Sequence, residues 1–281
     1  PSTPLQCGDL RCPLDTEQTI SHHAAMARPD ALRLVTNPPN PWHGTEIELD
    51  EMPPPAALEV REDRSRSILT QNKSPDIPFR WSVNPYRGCY HGCAYCYARP
   101  SHQYLDLGAG TDFERTIVVK PEAPALLREA FDRGSWKGEL ITFSGNTDCY
   151  QPLEVSYGLT RGCLKVCRDY RNPVAIITKS SLIERDIPLL RELSAVTSCR
   201  VTVSVPFMDA SLARAIEPYV PSPTRRIETI RRLADAGIDV QVNIAPIIPG
   251  LTDDQVPAIL TAARQAGASR ASFILLRLPP T

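Results

Sequence analysis

A chain of 281 residues, 42 % hydrophobic and 22 % charged, carries enough apolar mass for a full single-domain core. Its 31 Lys and Arg against 32 Asp and Glu leave a formal charge of −1, so electrostatics alone does not demand a polyanionic partner. No run approaches the ~18 apolar residues of a membrane helix and no apolar leader opens the chain; the nine cysteines read as reduced thiols of a cytoplasmic protein.

Residues 1–80 hold twelve of the 28 prolines, including Asn37-Pro38-Pro39-Asn40-Pro41 and Pro53-Pro54-Pro55. Such a stretch builds neither repeated helices nor ladders, and an irregular N-terminal extension is expected there. Cys7 and Cys12 within it read as solvent-facing thiols; an accessory metal site would have only His22, His23 and His43 to add. From residue 81 onward, apolar and β-branched runs at 81–86, 140–144, 174–178, 201–205, 240–244 and 271–276 predict strands. Amphipathic stretches at 123–133, 154–170, 182–196, 224–236 and 253–266 predict the helices between them. Thr252-Asp253-Asp254 is expected to cap the last helix, and Gly237 and Gly267 to end two of them. Alternation of this kind predicts βαβ units and an α/β domain over 81–281 with a parallel sheet, whose ligands gather at the carboxyl ends of the strands. A start at Pro1 rather than Met and a stop just after an apolar run read as a fragment, with the domain truncated at its C-terminus.

The first predicted strand runs into Gly88-Cys89-Tyr90-His91-Gly92-Cys93-Ala94-Tyr95-Cys96-Tyr97. Three thiols within eight residues can surround one iron–sulfur cluster, leaving one of its irons free for another ligand. Zinc held with His91 or His102 is the second reading and unliganded structural thiols the third. A single compact triplet is unlike the two separate arms of a structural zinc site. Gly88 and Gly92 supply the positive φ that a tight ligand loop needs.

This string resembles the signature of the radical S-adenosylmethionine (SAM) superfamily. Ser74–79, Asn84-Pro85-Tyr86-Arg87-Gly88-Cys89, Tyr95-Cys96-Tyr97-Ala98-Arg99-Pro100 and Thr147-Asp148-Cys149-Tyr150-Gln151-Pro152 resemble its spore photoproduct lyase-like bacterial branch, often labelled DNA repair photolyase-like. The resemblance implies a partial parallel (βα)6 barrel and a [4Fe–4S] cluster on Cys89, Cys93 and Cys96. It also implies SAM chelated at the open iron and cleaved by one electron to a 5′-deoxyadenosyl radical that abstracts hydrogen from a substrate. An electron donor of the flavodoxin or ferredoxin type is implied with it. Carried over by position, Tyr95 lies near adenine, and Ser144, Gly145, Asn146 and Thr147 meet the SAM amino group, with Asp148 as a charged contact. Lys179 neutralises the SAM carboxylate, Ser204 reaches the ribose, and the turn at Gly250 passes adenine.

Cys149 reads either as a hydrogen-atom donor beside that site or as a wall residue. Cys163 and Cys167 share a helix face and read as core thiols or a second metal clamp. The branch's donor cysteine would stand where this chain has Gly145, which counts against thymine-dimer repair and leaves a lyase-like reaction unassigned. Arg225, Arg226, Arg231 and Arg232 read as one solvated helix face, mixed with Glu228 and Asp235, rather than as a nucleic-acid groove. The substrate is therefore open between a nucleic-acid base or lesion and a peptide, protein or small metabolite; a metal-binding module without catalysis is the reading from another class.

Overall fold

The computed structural model describes residues 58–73 and 79–277, with the backbone of one strand at Leu32–Val35. Cys7, Cys12 and most of the proline-rich stretch lie outside the described residues. In chain order the strands are β1 (Leu32–Val35), β2 (Glu59–Asp63), β3 (Leu69–Gln71), β4 (Trp81–Val83), β5 (Tyr86–Arg87) and β6 (Thr116–Val119). They continue as β7 (Ile141–Phe143), β8 (Val174–Thr178), β9 (Cys199–Ser204), β10 (Asp239–Ile247) and β11 (Arg270–Leu275). The larger sheet has the order β11-β10-β9-β8-β7-β4-β3, and every neighbouring pair from β4 to β11 is parallel. Six parallel strands in sequential order make the partial barrel, and β3 pairs antiparallel with β4 at its edge.

The smaller sheet was not foreseen. Its order is β1-β2-β6-β5, so part of the 1–80 segment that was expected to be irregular forms ladders. The single strand expected over 81–86 divides at Asn84-Pro85, because proline has no N–H to give a ladder. Tyr86 crosses to the other sheet, and Lys120 N–H donates to the Pro85 carbonyl at 3.0 Å.

Helices α1 (Asp112–Arg115), α2 (Ala123–Asp132), α3 (Glu154–Tyr157), α4 (Leu159–Asp169), α5 (Ile187–Val196), α6 (Ala210–Ile216), α7 (Pro223–Asp235) and α8 (Val256–Gln265) fill the connections. A proline stands in the first turn of α2, α5, α7 and α8, where its missing N–H would be unpaired in any case. The helix expected over 154–170 is broken by Gly158 at φ +60°, and the start of the one expected over 182–196 is a 3-10 turn at Ser181–Asp186. Thr252 and Asp253 do not cap α8: Ile248 N–H donates to Thr252 Oγ1 at 2.8 Å and Gly250 N–H to Asp253 Oδ1 at 2.7 Å.

Val174, Ile176, Val201, Val203, Val240 and Val242 join Leu164, Leu190, Leu193, Ile230, Leu233 and Ile259 of the helices in one continuous core. Along β8 and β10 the buried residues alternate with half-buried ones, so one face meets the helices and the other lines the barrel. Leu190 in α5 is fully buried in that core. Leu190→Ala is expected to cost about 2–5 kcal/mol in denaturant unfolding; a loss below ~1 kcal/mol would show that this helix face is not packed.

Candidate metal centre and active site

The cysteine loop leaves β5 and is held from all sides by polar contacts. Gly88 has φ +77°, and a Cβ there would stand 2.8 Å from the Phe113 carbonyl and 2.9 Å from the His102 ring. Cys89 N–H donates to that same Phe113 carbonyl at 2.9 Å, Ala94 N–H to Ile216 O at 3.0 Å, and Tyr219 N–H to His91 O at 3.4 Å. Arg99 reaches back to the carbonyls of Cys93 (3.1 Å) and Gly92 (3.0 Å) while pairing Glu114 at 2.7 Å. Cys89 and Cys93 are buried and Cys96 lies at the rim.

Each histidine that could serve as a zinc ligand has one ring nitrogen facing another group, and the buried Nδ1 of His102 has no hydrogen-bond partner. His91 Nδ1 lies 3.4 Å from Asp148 Oδ2, and His102 packs edge-on to Phe113 with Nε2 at 2.9 Å from the Thr116 carbonyl. Among the described residues no three His, Cys, Asp or Glu side chains gather tightly enough to hold a single metal ion. The donor set that remains is three thiols on one loop, which fits a cluster with one iron left open.

Buried charge surrounds these thiols. Burial pushes the Cys89 thiol well up, with Asp148 and the other two cysteines adding to it. Burial likewise pushes Cys93 up to about 12, against the opposing pull of Lys179. A cationic metal centre reverses that balance, since it stabilises thiolates directly. The Lys179 ammonium lies 5.7 Å from the centre of the Tyr95 ring. Burial alone would lower its pKa, but Cys93, Glu217 and Asp148 hold it above the usual lysine value.

Tyr95 also packs edge-on to Phe207 and donates its hydroxyl proton to Glu217 Oε1. Arg226 is fully buried; its Nη1 donates to the Ser204 carbonyl at 3.0 Å, and its Nη2 forms an ion pair with Glu217 Oε2 at 2.7 Å without hydrogen-bond geometry. Sequence reasoning missed Glu217 and misplaced Arg226. Helix spacing puts Arg226 beside Arg225, and only the packing of α7 against β9 and β10 shows that it turns inward.

The other expected site residues divide. Lys179 meets Tyr95 and lies close enough to Cys93 and Cys96 to feel their charge, and Cys89 feels the other two thiols in the same way. Gly145 joins them through its carbonyl, which accepts the Tyr97 hydroxyl at 2.8 Å, and Asn146 N–H donates to Asn84 Oδ1 at 3.0 Å. Ser144 Oγ accepts Cys149 N–H at 2.8 Å, and Thr147 Oγ1 donates to the Tyr86 carbonyl at 2.8 Å. Asp148, expected as a contact to a ligand, instead accepts from Thr178 Oγ1 (2.8 Å), Lys179 N–H (2.8 Å) and Tyr150 N–H (2.9 Å). Burial alone would raise its pKa, but the His91 ring and these donors bring it down to about 2. Ser204 is buried with its carbonyl on Arg226, and Gly250 occupies an exposed turn. Cys149 is 1 % exposed within the main apolar core, and Cys163 and Cys167 lie fully buried in that core.

Residues 83–263, which span the cysteine loop and the strand ends, match the family model of the radical SAM superfamily. The chain belongs to the radical SAM superfamily. That family uses a [4Fe–4S] cluster and SAM. An uncharacterized protein of Mycobacterium tuberculosis is 39 % identical over 212 residues, covering 74 % of this chain and 62 % of the relative. An uncharacterized protein of Methanocaldococcus jannaschii is 31 % identical over 196 residues, 70 % of each chain. The radical SAM chain described here thus spans 62 % of the length of its mycobacterial relatives. A solved spore photoproduct lyase variant with bound AdoMet and dinucleoside spore photoproduct shares the fold, with a TM-score of 0.56 at 14 % identity over 75 % of this chain and 60 % of that one.

Two outcomes follow for the apoprotein. Arg226→Met leaves Glu217 buried without its cation and is expected to cost about 3–5 kcal/mol in denaturant unfolding, most of it recovered in the double variant with Glu217→Gln. Asp148 titrates lower folded than unfolded, so its contribution of about 2 kcal/mol is present above about pH 4 and fades as pH falls toward 2. Asp148→Asn should remove that step from the acid-unfolding profile; an unchanged profile would assign it to other carboxylates.

Proposed function

We propose that this chain is the catalytic barrel of a radical SAM enzyme that abstracts a hydrogen atom from an organic substrate, with Cys89, Cys93 and Cys96 as the cluster ligands. The observation that carries the reading is the closeness of Cys93 and Cys96 to Lys179, which meets Tyr95 and, through it, the Glu217–Arg226 pair. Cluster and SAM together supply, when bound, a one-electron cleavage whose carbon radical takes hydrogen from the substrate. The chain's own residues bind and orient. Lys179 offers a fixed positive charge beside the thiols, suited to a carboxylate. Tyr95, held at its hydroxyl by Glu217 and at its edge by Phe207, forms an apolar wall. Both side chains are half-buried, so water is partly displaced around them and their contacts are stronger than at an open surface. Electrons come from an external low-potential donor of the flavodoxin or ferredoxin kind.

For the substrate, a nucleic-acid lesion has the fold likeness to spore photoproduct lyase in its favour, and the charge distribution gives it no support. Arg225 and Arg232 pair Glu184, and Arg231 and Arg232 pair Glu228, so α7 offers no free basic stripe to a phosphate backbone. Cys149, the candidate donor for a lyase-like reaction, is buried in the apolar core.

Anaerobic reconstitution followed by dithionite and SAM is expected to release 5′-deoxyadenosine from the wild type and none from Cys93→Ala. Lys179→Met should keep the cluster and weaken SAM binding by about tenfold or more, as loss of a charge-assisted contact implies. A cluster that forms without any SAM cleavage by this chain would overturn the assignment of catalysis to the barrel. Damaged oligonucleotides that accelerate 5′-deoxyadenosine release would favour the lesion reading over a peptide or metabolite.

A further inference from the structure

The segment Thr147-Asp148-Cys149-Tyr150-Gln151 after β7 resembles a ligand-binding strand end, yet Thr147, Asp148 and Gln151 turn back onto the cysteine loop. Gln151 is fully buried, and its amide straddles Cys89: Tyr90 N–H donates to Oε1 at 3.0 Å and Nε2 donates to the Gly88 carbonyl at 3.1 Å. Thr147 Oγ1 holds the Tyr86 carbonyl at 2.8 Å, and Asp148 Oδ2 faces His91 Nδ1 at 3.4 Å. One five-residue segment therefore grips the loop from Tyr86 to His91 on both sides of a single cysteine. We infer that Gln151 is a positioning residue for Cys89, holding the flanking peptide groups in ligand-presenting geometry before a cluster binds, with Thr147 and Asp148 as outer grips. This rests on the iron–sulfur reading of the triplet.

The residue type follows from the two partners. A buried carbonyl needs a donor and a buried N–H an acceptor, and a primary amide supplies both from one planar group. Glutamate would keep the acceptor and lose the donor; leucine would lose both and leave two buried peptide groups unpaired. A cysteine held this way needs no reordering of its loop when the metal arrives, and the ordering cost is met during folding.

The test uses the full chain, reconstituted anaerobically, with two readouts: cluster loss to a chelator, followed by visible absorbance, and exchange of the Tyr90 amide hydrogen in the apoprotein. Gln151→Leu is expected to lose its cluster about tenfold faster or more, and to exchange the Tyr90 amide faster by a similar factor. Tyr150→Phe is the control, since it removes only the buried bond from Tyr150 OH to Asp186 at 3.1 Å, in the same segment but away from the loop. It should lower the unfolding midpoint while leaving both readouts near wild type. Gln151→Glu should fall between wild type and Gln151→Leu, and it carries the comparison if the leucine variant fails to fold. Wild-type rates in the Gln151 variants, or equal acceleration in Tyr150→Phe, would overturn the positioning role alone. A wild type that forms no cluster would overturn the iron–sulfur reading and this role with it.

Discussion

Charged and polar side chains withdrawn from water at one end of a sheet have to compensate one another, because an unpaired buried charge costs several kcal/mol. The strand ends are built around that requirement. Glu217 lies between the Tyr95 hydroxyl and the Arg226 guanidinium, and Arg226 is tied in turn to the carbonyl that ends β9. Asp148 is surrounded by donors from β8, from its own loop and from the cysteine loop. Lys179 takes its balance from the thiols and both carboxylates. Moving any one of these groups leaves a partner stranded.

A second buried network, one layer below, fixes the elements that carry the first. Glu154 Oε2 accepts the Tyr86 hydroxyl at 2.5 Å and Thr160 N–H at 2.8 Å, while Oε1 accepts from Arg185 at 2.9 Å and Arg161 N–H at 3.1 Å. Burial raises the Glu154 carboxyl above its usual value, and the four donors oppose it. Arg185 also pairs Asp186, which accepts the Tyr150 hydroxyl, so the starts of α4 and α5 are bolted to the loop after β7. The break at Gly158 serves this network: it lets the chain turn so that the N–H groups of Thr160 and Arg161, at the start of α4, point at one carboxylate.

The six parallel strands and most helices were legible because burial imposes a period that needs no knowledge of partners. The two-residue β5 and the four-residue β6 carried too little pattern, and the smaller sheet they form went unseen. The cysteine triplet was legible because ligand type and local spacing decide what a single loop can hold. Lys179 could be singled out because it stands at a strand end, and the folded chain sets its ammonium beside the Tyr95 ring. Thr147 and Asp148 were less legible, since a polar residue at a strand end can face a ligand or a neighbouring backbone, and the alternation of side chains cannot say which.

Local chemistry in the amino-acid order thus determined the class of fold, the place of the cysteine loop and the kind of group three thiols can bind. Tertiary structure alone decided that Arg226 turns inward to Glu217 while Arg225 and Arg232 stay with Glu184, and that Cys149 faces the core. It also decided that Gln151 clasps the peptides around Cys89. These pairings join residues from 9 to 63 positions apart. Their energy depends on how deeply each is buried, a property of the folded chain that no local spacing contains.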